Sequence, residues 1–155
     1  MQKNDYHKTM TTVQEADLTE QVRRAGMRAT PGRVAALGFL TTHPHSTAAE
    51  VHAGIAARLP SLSMQSVHNV VNDLTEKGLL RRVDVPGAAR YETQTGDNHH
   101  HIRCVMCHRI EDVDCITGEA PCLSPAGGSP MPVLLSADVT FQAVCSQCVD
   151  TWQAS

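Results

Sequence analysis

Two Cys-x-x-Cys units, Cys104-Val-Met-Cys107 and Cys145-Ser-Gln-Cys148, stand 37 residues apart near the end of the chain. Together they offer four thiolates, the number that closes a tetrahedral Zn²⁺ site. The gap exceeds the ~15–20 residues of a compact zinc ribbon, so each pair is expected at the end of a different strand. Their surroundings are thin: residues 94–155 hold two of the five aromatics, Phe141 and Trp152. Structural zinc carries an apparent ~10–16 kcal/mol, which rivals the ~5–15 kcal/mol net stability of a whole domain. In such a segment the metal decides whether the chain folds. The rival reading is a pair of disulfides or redox dithiols, as in a small thiol-disulfide redox protein. The start, MQKNDYHKTMTTVQE, carries no secretory signal and no run reaches membrane length, so a soluble, cytoplasmic chain is expected, where disulfides are rare. The βαβ pattern that accompanies redox motifs is also missing. Cys115 and Cys122 fall outside the four and read as free thiols.

The 155 residues allow one medium domain or two small ones, and charge divides them. Residues 1–93 hold eleven Lys/Arg against nine Asp/Glu, whereas residues 94–155 hold two against seven. The first part suits a polyanion better than the second. Five scattered aromatics give no stacking platform for single-stranded nucleic acid.

Residues 1–14 read as a flexible tail. Leu18, Val22 and Ala25 mark a short helix from Glu15 that Gly26 closes. Thr30 caps a second helix with Pro31 at its first position, ending at His43-Pro44. Thr47 and Glu50 form a capping box for a third, running to about Leu59. Ser63 caps a fourth, closed by Gly78, and two strands follow (79–85 and 88–93) around Pro86-Gly87. Helices followed by a hairpin make a winged helix-turn-helix over 15–93. A hinge at 94–98 leads to a domain at 99–155 with β-like runs at 99–104, 109–113 and 139–144. The Gly/Pro-rich stretch 118–132 cannot be one continuous helix.

In the fourth helix Val67, Val70, Val71 and Leu74 recur at i, i+3, i+4 and i+7 and form one buried face. The opposite side carries Gln65, Ser66, His68, Asn69 and Asn72, neutral hydrogen-bonding groups suited to base edges in a major groove. Arg28, Arg33, Arg81 and Arg82, with Arg90, lie where cations that position a DNA backbone belong. Double-stranded DNA is the expected partner.

The run Asp97-Asn98-His99-His100-His101 is a separate signal. On a strand His99 and His101 project from one face and His100 from the other. Glu92 and Asp112 are plausible completing ligands, and His45 can reach in from the DNA-binding part. Three nitrogens and two carboxylates suit Fe²⁺ or Mn²⁺, or Zn²⁺ with fewer ligands bound.

Taken together, Gly26-Met27-Arg28-Ala29-Thr30-Pro31-Gly32-Arg33, Arg90-Tyr91-Glu92, His99-His100-His101-Ile102-Arg103-Cys104-Val105-Met106-Cys107 and Cys145-x-x-Cys148 resemble the ferric uptake regulator superfamily. Gly96–His101, Asp112–Cys115 and Gly118–Cys122 are similar to its FurA/CatR-like, peroxide-responsive branch. The resemblance implies an α+β fold: an N-terminal winged helix-turn-helix followed by a small β-rich dimerisation domain with structural zinc on the four cysteines. It implies a homodimeric repressor, not an enzyme, on a palindromic operator, derepressing catalase-peroxidase-type defence genes. Its regulatory Fe²⁺ or Mn²⁺ would be held by His45, Glu92, His99, His101 and Asp112, with His45 and His99 at the oxidation-prone positions. An iron, zinc or nickel homeostasis repressor would use the same ligands. His68 stands where the family usually has a DNA-contacting tyrosine, and Glu92 where the peroxide sensor has aspartate. With no histidine after His108, the extra metal site of some relatives is left with His100 and Glu119 as candidates.

Overall fold

The computed structural model describes residues 12–118, 122–125, 127, 130–131, 133–135 and 137–154. Contacts divide the chain into two units, Met1–Thr95 and Gly96–Ser155.

The first unit contains α1 (Thr12–Arg24), α2 (Pro31–Thr42), β1 (Ser46–Thr47), α3 (Ala48–Ile55), α4 (Met64–Glu76), β2 (Arg81–Val83) and β3 (Arg90–Glu92). Helix α1 begins three residues ahead of the expected Glu15, so residues 12–14 are helix rather than tail; residues 1–11 lie outside the described residues. The earlier start places the Glu15 carboxylate within the first turn, where the helix dipole favours negative charge. At α2 the Thr30 side chain accepts from the Arg33 N–H, and Pro31 follows with no donor to lose. The Thr47–Glu50 capping box at α3 is complete: the Glu50 N–H donates to the Thr47 hydroxyl at 3.2 Å, and the Thr47 N–H donates to the Glu50 carboxylate at 2.7 Å. Helix α3 stops at Ile55 rather than near Leu59; the N–H groups of Arg58 and Leu59 both donate to the Ile55 carbonyl at 3.0 Å, a turn that Pro60 ends.

The wing strands are also shorter than the sequence suggests. Gly78 takes a left-handed φ of 72° after α4, and the N–H groups of Leu79 and Leu80 turn back to the Leu74 carbonyl at 2.9 and 3.2 Å. Two residues are thereby spent closing the helix before the strand begins. The resulting sheet has the order β1-β3-β2, all antiparallel, with Ser46 opposite Tyr91 and Arg81 opposite Glu92. Strand β1, read from the sequence only as a helix cap, makes it three-stranded rather than a two-stranded hairpin.

The core of this unit is aliphatic: Leu18, Val22, Leu37, Leu40, Val51, Ile55, Val67, Val71 and Leu74, with Phe39 and Tyr91 as its aromatics. Helix α3 approaches α2 so closely that a Cβ on Gly54 would stand 2.1 Å from the Phe39 ring.

The second unit contains β4 (His99–Cys104), β5 (Ile110–Asp114), β6 (Thr140–Ala143) and the short helix α5 (Val149–Gln153). Strand β4 is central, antiparallel to β5 and parallel to β6. The described residues between 118 and 131 form no helix. No helix among the described residues is long and apolar enough to cross a membrane.

Candidate metal centres and nucleic-acid face

The cysteine centre is built where three segments of the second unit meet. Cys104 ends β4, and its N–H donates to the Arg109 carbonyl at 2.9 Å, which closes the turn carrying Cys107. His108 follows in a left-handed conformation, φ 64°. The parallel pairing sets Cys104 beside Ala143, so the chain leaving β6 delivers Cys145 to the same point. The Cys145 N–H donates to the Cys104 sulfur at 3.4 Å, and the Cys148 N–H to the Cys145 carbonyl at 2.9 Å.

All four sulfurs lie within 4.8 Å of one another. A tetrahedron with ~2.3 Å Zn–S arms has edges of about 3.8 Å, and the Cys107 and Cys145 sulfurs are 3.8 Å apart. Donor number, donor type and spacing all fit Zn²⁺. The backbone N–H groups of Cys107 and Cys145 hold the Cys104 thiol down to about 6. Cys148 is pushed up to about 12, chiefly by its hydrogen bond to Cys145 and by burial. Four crowded sulfurs cannot all ionise without a cation between them.

The expected nitrogen and carboxylate ligands fall into two sets, one in each unit. In the first unit Glu92 ends β3 with only 1% of its surface exposed. A buried carboxylate is costly unless paired, and the His45 Nε2 lies 2.8 Å from it, with the Arg81 Nε at 3.9 Å. His45 sits at φ 59°, a conformation uncommon outside glycine. Arg90 holds it there by donating to the His45 carbonyl at 2.9 Å.

In the second unit His99 and His101 are buried on one face of β4, rings 4.9 Å apart and near perpendicular. Asp112 lies directly across from His101 on β5. Its carboxylate is 3.5 Å from the His101 Nε2 and 3.7 Å from the His99 Nε2. The other nitrogen of His99, Nδ1, is 2.7 Å from Asp97. That pairing fixes the ring and points Nε2 towards Asp112, as carboxylates behind metal-bound histidines do. Asp97 was missed as an orienting residue, although its spacing of two from His99 carried the signal.

His100 faces the opposite side of the strand. Glu119, its suggested partner, lies outside the described residues. Among the described residues its neighbours are thiols: the Nε2 is 3.0 Å from the Cys122 sulfur, and His100, Cys115 and Cys122 bring their ligand atoms within 4.8 Å. Cys115 and Cys122 are free thiols, as expected, and both lie beside this one imidazole.

On the nucleic-acid side, Gln65, His68, Asn69 and Asn72 are exposed along α4, and Ser66 is half-buried, its N–H bonded to the Ser63 cap. Val67, Val71 and Leu74 are buried beneath them, with Val70 half-buried at the edge. Arg28 and Arg82 are exposed, Arg82 pairing with Asp84 at 2.8 Å and raised by it. Arg33 is tied down instead: its guanidinium donates to Asp73 of α4 at 2.7 Å and to the Arg28 carbonyl at 2.9 Å. It braces α2 against α4. Arg81 is half-buried beside Glu92.

Residues 24–119 match the model of the ferric uptake regulator family. The chain is 41% identical over 133 residues to the transcriptional regulator FurA of Mycobacterium tuberculosis, a match covering 85% of this chain and 90% of that protein. It is 31% identical over 103 residues to the peroxide-responsive repressor PerR of Staphylococcus aureus, covering 63% of this chain and 69% of the repressor. Among solved structures, the ferric uptake regulator of Helicobacter pylori superposes with a TM-score of 0.65 at 18% identity, over 88% of this chain and 92% of that one. At that identity the likeness is one of fold.

Proposed function

The chain belongs to the ferric uptake regulator family, and we propose that within it this member senses peroxide through a divalent-metal site. It is a metal-responsive transcriptional regulator and not an enzyme, a DNA-binding homodimer of winged-helix arms on β-rich dimerisation domains. Membership sets aside the thiol-disulfide redox reading. Structural Zn²⁺ belongs on Cys104, Cys107, Cys145 and Cys148. The exposed face of α4, with Arg28 and Arg82 beside it, enters the major groove of a palindromic operator. Exposed Ile116, Leu135, Phe141 and Trp152 supply apolar surface for a second copy to cover.

The observation that carries the peroxide reading is the donor chemistry around Asp112. His99 and His101 direct Nε2 atoms at one carboxylate, without sulfur, and His45–Glu92 is a second nitrogen–oxygen pair. Such donors suit Fe²⁺ or Mn²⁺ better than the thiolate centre does. We assign His45, Glu92, His99, His101 and Asp112 to one regulatory cation, with the hinge at 94–98 responding to its affinity. Only a difference in affinity between arrangements can bias such a hinge. Bound Fe²⁺ would supply the electrons that cleave the O–O bond of H₂O₂. His45 and His99 then stand to gain an oxygen atom, and the weakened site releases the operator of oxidative-defence genes in the cytoplasm.

His99→Ala is expected to lose metal-dependent operator binding while keeping its cysteine zinc; unchanged binding overturns the gating scheme. Mass spectrometry after Fe²⁺ and peroxide exposure should find one added oxygen on His45 or His99. Operator titrations with Fe²⁺, Mn²⁺, Zn²⁺ and Ni²⁺, with and without peroxide, separate this reading from an iron, zinc or nickel homeostasis repressor, which would be indifferent to peroxide.

A further inference from the structure

We propose that His100, Cys115 and Cys122 form a separate, exchangeable site for Zn²⁺ within the second unit, with three protein ligands and one open coordination position. The three residues come from different stretches: the middle of β4, the residue after β5, and the segment beyond 118. Their ligand atoms nonetheless converge within 4.8 Å. Free cysteines scattered along a chain have no reason to gather around one imidazole.

Three observations point to a cation. His100 is buried, 5% exposed, and among the described residues the hydrogen-bonding partners of its ring are thiols, Cys122 at 3.0 Å from Nε2 and Cys115. Among the described residues its Nδ1 is buried with no hydrogen-bond partner. A buried ring whose partners are weak thiol contacts is poorly compensated for leaving water, and a metal bond at Nε2 would offset that. Second, Cys115 and Cys122 are half-buried and reduced, and their sulfurs edge a cavity of about 370 Å³ walled mainly by Val113, Ile116, Leu123, Val139 and Phe141. Within that wall the Cys115 sulfur meets the Thr117 hydroxyl at 3.2 Å, a contact that favours its thiolate. Third, the Phe141 ring stands 6.5 Å from that of His100, edge to face, and fixes its plane.

The donor set selects the metal. Two thiolates and an imidazole suit Zn²⁺, whereas Fe²⁺ and Mn²⁺ prefer the oxygen-rich set around Asp112. Arms of ~2.05 Å to nitrogen and ~2.3 Å to sulfur at the tetrahedral angle would place those atoms about 3.5 Å apart. The 3.0 Å contact therefore opens slightly on binding. Three protein ligands, rather than four, leave a position for an exogenous ligand and make the metal exchangeable. The assignment stands independently of the peroxide reading.

Cobalt(II) is the probe. Full-length protein carrying one Zn²⁺ per chain on its four cysteines is stripped of labile metal and titrated with Co²⁺. A nitrogen–oxygen site gives no thiolate-to-cobalt charge transfer, so that band reports this centre alone. The expected result is one equivalent producing the band, reversed by Zn²⁺. The Cys115→Ser/Cys122→Ser protein should keep its first zinc and lose the band. His100→Ala should keep the band at a cobalt affinity lower by more than ~10-fold. X-ray absorption at the cobalt edge of the wild-type protein, needing no variant, should count two sulfurs and one imidazole. The proposal is overturned if wild-type protein shows no charge transfer, if the band survives in the double variant, or if Cys115 and Cys122 are recovered as a disulfide from protein prepared with zinc under reductant.

Discussion

The two units bury different chemistry. In Met1–Thr95 the interior is a continuous cluster of Leu, Val, Ile and Ala from four helices and the wing. In Gly96–Ser155 the buried described residues are His99, His100, His101, Arg103 and Cys104, while Ile116, Leu123, Met131, Val133, Leu135, Phe141 and Trp152 are exposed. The first unit is held by removal of apolar surface from water. Among the described residues of the second that term is small, and strand pairing, coordination and apolar surface covered from outside must supply much of its order. One chain thus joins a unit built around its own apolar cluster to one whose described residues bury little apolar surface.

The largest test of that contrast is removal of the cysteine zinc. Cys104→Ser or a strong chelator should abolish amide protection in β4–β6 while α1–α4 stay protected, because the lost term is ~10–16 kcal/mol. Hydrogen exchange resolved by segment measures this, and surviving protection in β4 would break the comparison. Acid should act in the same direction, since thiolates must give up the metal to take protons. In the metal-free cluster Cys148, held near 12, carries its proton at neutral pH, whereas Cys104, held near 6, gains one only as pH falls through that value. The converse perturbation is smaller. Leu74→Ala empties part of a fully buried position and should cost ~2–5 kcal/mol, read as a lower denaturation midpoint of the first unit with zinc content unchanged. Smaller again, Thr47→Ala removes the α3 capping box and should cost about 1 kcal/mol, confined to the first unit in thermal melts.

Sequence reading served the two units unequally, for the same reason. Thr30, Thr47 and Ser63 cap α2, α3 and α4 where expected, because capping is a local bond between residues three apart. The cysteine centre was equally legible, since two Cys-x-x-Cys units announce four ligands whatever lies between them. Strand β1 was not: two residues carry no periodicity, and Ser46 pairs with Tyr91 only after α3, α4 and β2 have intervened in the chain. Nor was the brace from Arg33 to Asp73, where a cation near a DNA-reading helix looks the same in sequence whether it meets phosphate or carboxylate. The meeting of Cys115 and Cys122 with His100 was hidden because β5 and an irregular segment bring them together, and no fixed spacing encodes that.

Strand β4 carries three consecutive histidines, and its pleat sends His99 and His101 to Asp112 but His100 to the two thiols. The sorting of hard and soft cations therefore rests on parity. Gaining or losing one residue between His101 and Cys104, inside the strand, would exchange the sides, turning a single imidazole to the carboxylates and a pair to the sulfurs. Substitutions in this stretch can be graded in effect, but a one-residue change of length there would invert which metal each face of the sheet accepts.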